Sequence, residues 1–205
     1  MDDLNNIKNK IKDMSKLALK MWQMTHRTFM EHNADLIPGI LEDENNLNNM
    51  EKAIAADLVK LGKGNQDEHM REVVVLFAEV VEDFELIGDY CKDILERVQI
   101  KIEERLLFTE DAVKEYEALY NKTLEALDEI AFAFERGDLS LVKIVLRKEE
   151  HIDYMVDEYR KKHNERMIQG VCTPMACNMF LNMLDFTAAV YYHAKKIARN
   201  LLKIK

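Results

Sequence analysis

Apolar positions follow a helical period along most of the chain. Leu4, Ile7, Ile11, Met14, Leu17, Met21 and Met24 recur at intervals of three or four, the stripe of a helix with one buried face. This first predicted helix runs from about Asp3 to Glu31. Asn33 or Asp35 supplies the cap of a second. That helix continues through Leu41, Glu44, Leu47 and Met50 to about Leu61. Pro38 falls in its first turn, where backbone donors lack partners anyway. Gly62, Lys63, Gly64 and Asn65 end it. A third helix, from about Asp67 to Leu106, is long enough to act as a spine. Thr109, followed by Glu110 and Asp111, opens a fourth that runs to Arg136, because a capping hydroxyl followed by acids suits the helix dipole. Gly137 and Asp138 separate it from a fifth, Leu139 to about Met167. Thr173 and Pro174 open a sixth, to about Leu202. Its basic end (Lys195, Lys196, Arg199, Lys203, Lys205) complements the dipole. Runs of alternating, strand-type residues are absent, so the pattern predicts an all-α fold.

The pattern also repeats. A shift of 105 residues lays the second helix on the fifth: Leu41 meets Leu146, Glu44 meets Glu149, Leu47 meets Ile152 and Met50 meets Met155. Phe29 meets Phe134 at the same shift, and the third and sixth helices correspond at a similar one. The expected architecture is two tandem, pseudo-symmetric three-helix bundles, residues 1–105 and 106–205.

Within the third helix, Phe77, Val81, Phe84, Gly88 and Cys91 form one face, and Glu82, Glu85, Asp89, Asp93 and Glu96 another. The acids are spaced 3, 4, 4 and 3. Like charges one turn apart destabilise a helix by about 0.2–0.5 kcal/mol per pair. Such a column is either solvated or meets something positive. Glu85 and Asp89 are one turn apart and can reach one hard cation through oxygen. Glu42, Asp43 and Glu44 on the second helix are the nearest further donors by topology. Gly88 inside a helix costs about 1 kcal/mol against Ala, which predicts close approach of a neighbouring helix there. Trp22 reads as a partly buried packing residue.

Composition narrows the function. Of 205 residues, 38 are acidic and 29 basic, giving a net charge of −9, which disfavours nucleic acid as a partner. The three cysteines, Cys91, Cys172 and Cys177, form no CxxC pair, and nothing suggests an oxidised, secreted protein. Cys172 and Cys177 flank a helix start at a spacing that fits no common zinc site, and read as small core or cap residues. No histidine stands three residues after a glutamate, so the Glu-x-x-His pairs of ferritin-like oxidases are missing. No phosphate-binding loop, nucleophile elbow or HExxH motif occurs either, and no catalytic residue is nominated. The most apolar stretch, Gly170 to Ala194, carries Asn178, Asn182 and Asp185 on one face, as an amphipathic core helix does and a membrane span does not.

FELIGDYCKDI resembles the ERIGD-type signature of PhoU-like proteins, whose helices carry an E(D)xxxD motif. LEDENNLNNMEKAI is similar to the family's second-helix segment, and FTEDAVKEYEALY to the start of its second unit. EEHIDYMVDEYRKKHNERMIQGVCTP resembles the stretch around the fifth helix, with His163 and Arg166 at the family's H..R positions. The set looks most like the soluble PhoU-like domain of sodium–phosphate cotransporters. The resemblance implies two three-helix bundles and a non-enzymatic role in phosphate transport or phosphate signalling. It implies partners among phosphate transporters or their cytoplasmic domains, and homodimers. The expected location is cytoplasmic or peripheral to the inner membrane face. It also implies a metal ion (Fe, Mn, Mg or Zn) on a surface carboxylate cluster: here Glu85 and Asp89, with Glu82, Asp93 and Glu44. In the second unit Ala188 and Tyr192 stand where the motif's acids would be. Lys196 falls opposite Asp93 and Arg199 opposite Glu96, so a second metal site is not expected, and the basic face could receive an acidic partner. The alternative reading is a metal-independent helical adaptor that docks on a membrane transporter.

Overall fold

The computed structural model describes residues 2–64, 67–147 and 152–204. Asn65, Glu149 and Lys205, to which the sequence assigned a helix stop, a repeat partner and part of a basic end, lie outside them, as does the middle of the fifth predicted helix. Among the described residues all regular structure is helical. The α-helices are α1 (Asp2–Glu31), α2 (Ile37–Lys63), α3 (Glu68–Glu103), α4 (Glu110–Arg136), α5 (Lys143–Arg147), α6 (Ile152–Ile168) and α7 (Pro174–Leu201).

The caps sit where small polar side chains allow them. Asn33 accepts from the Asp35 N–H and opens a 3₁₀ turn, Ala34–Leu36, ahead of α2. Asp67 caps α3, Thr109 caps α4 and Thr173 caps α7, each contact worth about 1 kcal/mol. Gly137 closes α4 at φ 66°, a left-handed turn that glycine enters without a Cβ penalty. The fifth predicted helix departs from expectation. Asp138 accepts from the Ser140 N–H, and Leu139–Val142 winds as 3₁₀ before α5 begins. A short polar side chain that bonds its own backbone two residues on competes with the α-helical ladder.

α1, α2 and α3 pack on one another, and α7 packs on α4 and α6. The halves are joined along α3–α7 and α1–α4. Trp22 is fully buried rather than partly so, because the second half covers it: its ring stacks on Tyr120 of α4 at 5.3 Å, beside His26 on the same tyrosine at 3.7 Å. Gly88 meets the approach expected of it. A Cβ there would lie 2.5 Å from Leu47 Cδ2 of α2. No helix among the described residues is long and apolar enough to cross a membrane.

Candidate functional site

The apolar face of α3 turns inward, with Phe77, Val81, Phe84 and Cys91 at most 1% exposed. That fixes its acids at the edge facing α2 and solvent. Glu85 and Asp89 are half-buried there, and Glu44 of α2 is almost wholly buried against them. Burial raises the Glu85 carboxyl above the usual range, and the charges of Asp89, Glu51, Glu44 and Glu82 add to it. Asp89 is raised too, first by burial and then by Glu44, with which it shares a hydrogen-bonding contact. The structure thus brings Glu85, Asp89 and Glu44 together, with Glu51 as a further acid. Glu82 is exposed beside them. Asp93 lies one turn beyond Asp89, whose carboxyl its charge also raises; burial and Glu96 raise Asp93 itself, while Arg97 and Lys92 oppose the shift.

Lys92 is the residue that the column count missed. At roughly 100° per residue it projects within about 20° of Glu85, whereas Asp93 projects about 80° away. Lys92 Nζ donates to Glu44 Oε1 at 3.2 Å, and Asn48 donates to the same oxygen at 3.1 Å. Glu44 therefore already has a cationic partner. Among the described residues, three carboxylates of this surface do not bring ligand atoms within 4.8 Å of one another. The donors suit a hard cation by type and charge, with Glu85 and Asp89 as the pair whose ionisation such an ion would favour. Glu44 would join only by exchanging Lys92.

The opposite flank of α3 carries a second polar cluster. Asp83, fully buried, receives Lys196 Nζ at 2.9 Å and lies 2.8 Å from His193 Nδ1, both from α7. Asn200 donates to Glu79 at 2.8 Å along the same seam. Lys196, which the repeat alignment sets opposite Asp93, is thus committed to an acid of its own chain. Lys196 is not an open surface for an acidic partner. Asp83 escaped the sequence reading because its neighbours Glu82 and Glu85 fit the acidic column and it does not.

Residues 11–98 match the family model described as PhoU domain. No curated protein matches the chain by sequence. Among solved structures, it superposes on PhoU from Pseudomonas aeruginosa with a TM-score of 0.91 at 18% identity, covering 99% of this chain and 97% of that one. It superposes on the phosphate transport system regulatory protein PhoU from Streptococcus pneumoniae with a TM-score of 0.85 at 16% identity, covering 98% and 94%. The PhoU-like part of the resemblance read from the sequence holds: the chain is all-α and PhoU-like in fold from end to end.

Proposed function

We propose that this PhoU-like chain is a regulatory rather than catalytic protein of phosphate transport, binding a divalent or ferric ion at Glu85 and Asp89. The observation that carries the regulatory reading is the PhoU domain match over residues 11–98 together with PhoU architecture along the whole chain. The expected partner is a phosphate transporter or its cytoplasmic domains, met at the inner membrane face, with homodimerisation and a cotransporter-type context as parts of the same reading. Residues 1–105 and 106–205 are proposed as its two structural units. The ion is supported by the electrostatics of the α2–α3 edge. Burial and like charge raise both carboxyls, and a cation would relieve that repulsion.

Phosphate uptake in the source cell, with the gene deleted and then restored, tests the regulatory role. Uptake that ignores both changes across phosphate levels overturns it. Calorimetric titration of chelator-stripped protein with Mn²⁺, Mg²⁺ and Fe tests the ion. Heat in the wild type that disappears in Glu85→Gln/Asp89→Asn supports it; no heat removes the ion and leaves the regulator. The Lys92–Glu44 contact favours a second reading, a metal-independent adaptor whose acidic edge meets a basic loop of the transporter. Charge reversal of Glu82, Glu85 and Asp89 should then abolish capture by the transporter, and capture insensitive to it counts against that reading.

A further inference from the structure

His163, Cys172 and Cys177 converge at the junction of α6 and α7. Their ligand atoms all lie within 4.8 Å of one another. His163 and Cys177 are buried, and Cys172 is half-buried. The convergence follows from how α7 begins. Thr173 is the N-cap, so Cys172 is the residue before it and Cys177 the fourth helical residue. Those are the two positions that pack together as a hydrophobic staple, which sets the thiols side by side. The spacing of the cysteines offered only two ligands in sequence; the fold supplies the third from α6.

We propose that His163, Cys172 and Cys177 form a binding site for a thiolate-preferring d¹⁰ cation of the Zn²⁺ class, separate from the carboxylate edge of α2 and α3. Tetrahedral zinc with bonds of about 2.3 Å to sulfur and about 2.0–2.1 Å to nitrogen requires ligand separations of about 3.6 Å (N to S) and about 3.8 Å (S to S). His163 Nε2 lies 3.9 Å from Cys172 Sγ, so closure needs shifts of tenths of an ångström on that edge. Two sulfurs and one imidazole nitrogen are a set that selects zinc over the hard cations suited to carboxylates. The ring of His163 is held in place by stacking on Phe180, centroids 4.3 Å apart.

Arg166 shapes the chemistry. Its Nη2 lies 3.1 Å from His163 Nδ1, and its guanidinium forks onto both oxygens of Glu115, at 3.1 and 2.5 Å. Arginine can only donate, so in the ion-free protein Nδ1 accepts and the ring proton sits on Nε2. Ion binding at Nε2 moves that proton to Nδ1, loses the Arg166 contact there and leaves Arg166 on Glu115. Two thiols lose their protons as the ion enters. Two thiolates then neutralise the dication, so Arg166 faces a site of no net charge. The half-buried position of Cys172 gives the ion an entry path and leaves the fourth coordination position to water. The bound ion would tie the end of α6 to the start of α7 across the turn at Gly170.

The test uses the full chain, reduced and chelator-stripped, titrated with Co²⁺ as a spectroscopic probe for Zn²⁺. The expected result is one Co²⁺ per chain with thiolate-to-cobalt charge transfer in the near ultraviolet and the intense visible bands of tetrahedral cobalt, bleached by Zn²⁺. Cys172→Ser, a half-exposed conservative change checked for fold by circular dichroism, should abolish the charge-transfer band, and Cys177→Ser likewise. Glu85→Gln/Asp89→Asn should leave it intact, which separates this site from the carboxylate edge. Reduced wild-type protein that develops no such band at excess Co²⁺ overturns the proposal. So does a band that survives Cys172→Ser, or a Cys172–Cys177 disulfide with no cobalt binding after its reduction.

Discussion

His193 Nδ1 lies 2.8 Å from Asp83 Oδ1 across the seam between α3 and α7, and Lys196 reaches the same oxygen at 2.9 Å. Asp83 is fully buried, and its Oδ2 has no hydrogen-bond partner among the described residues. A buried carboxylate is tolerable only while its hydrogen-bonding and ionic partners stay. Lys196→Met should therefore cost about 1–3 kcal/mol. Asp83→Ala, which leaves two basic groups at the seam without their acid, should cost about 3–5 kcal/mol. The double variant should cost clearly less than the sum, since both changes break one contact. Urea denaturation of the four proteins checks this, and strict additivity would refute the coupling.

The α2–α3 approach at Gly88 predicts a background-dependent effect. In the wild type Gly88→Ala thrusts a Cβ to 2.5 Å from Leu47 Cδ2 and 3.6 Å from Met21 Cε, and Leu47 is fully buried with little room to turn. Overpacking of this kind costs about 1–3 kcal/mol, offset in part by the roughly 1 kcal/mol gained in helix propensity. A net loss of up to about 2 kcal/mol is expected. In a Leu47→Ala background the obstruction is gone, and the same change should be neutral or stabilising. Thermal melts of the four proteins give the answer.

These two sites show what the sequence made legible. Gly88 announced its role because a glycine inside an apolar helical stripe has few other reasons to be there. The helices and the threonine caps of α4 and α7 followed from periodicity and capping residues, which depend on neighbours in sequence. Asp83 and Lys92 were not legible, because their significance is set by partners 113 and 48 positions away. Trp22 is more buried than expected for the same reason: its cover is Tyr120 of the other half. His163 could have been matched to Cys172 and Cys177 only with the staple geometry at the start of α7 in hand.

At the acidic edge, pH dependence separates repulsion from mere solvation. Glu85 and Asp89 have folded-state pKa values raised by burial and by neighbouring acids. Between the unfolded and folded values the native state binds more protons, so stability falls as pH rises through that window. Glu85→Gln/Asp89→Asn should be more stable than wild type at pH 7 without metal, by about 0.5–1 kcal/mol, the scale of two like-charge helix contacts. The advantage should vanish at about pH 3, below the unfolded-chain values of about 3.9 and 4.3, where both carboxyls are protonated in the folded and the unfolded chain alike. Melting temperatures at the two pH values in chelator provide the comparison. An equal offset at both would mean that the carboxylates do not repel.

Lys101 carries the opposite sign of linkage. It is 3% exposed near the end of α3, beside His32 Nε2, with its ammonium 5.1 Å from the Phe29 ring centroid and 5.6 Å from that of Phe108. Burial lowers it to about 8. The unfolded chain holds that proton up to about 10.4. Between those values the unfolded state binds more protons, so the stability of the wild type rises with pH across the window. Below pH 8 the lysine is charged in both states, and the native protein bears the full cost of burying it. The aromatic faces return part of that cost, on the order of 1–2 kcal/mol. Lys101→Met keeps the volume and removes the charge. It should raise stability at pH 7 by about 1–3 kcal/mol. Its margin over wild type should shrink steadily from pH 8 to pH 10, as the wild-type lysine folds in neutral form. Guanidinium midpoints at pH 7 and pH 10 measure both quantities. A margin that widens with pH, or a variant less stable at pH 7, would show that the charge at Lys101 stabilises the fold.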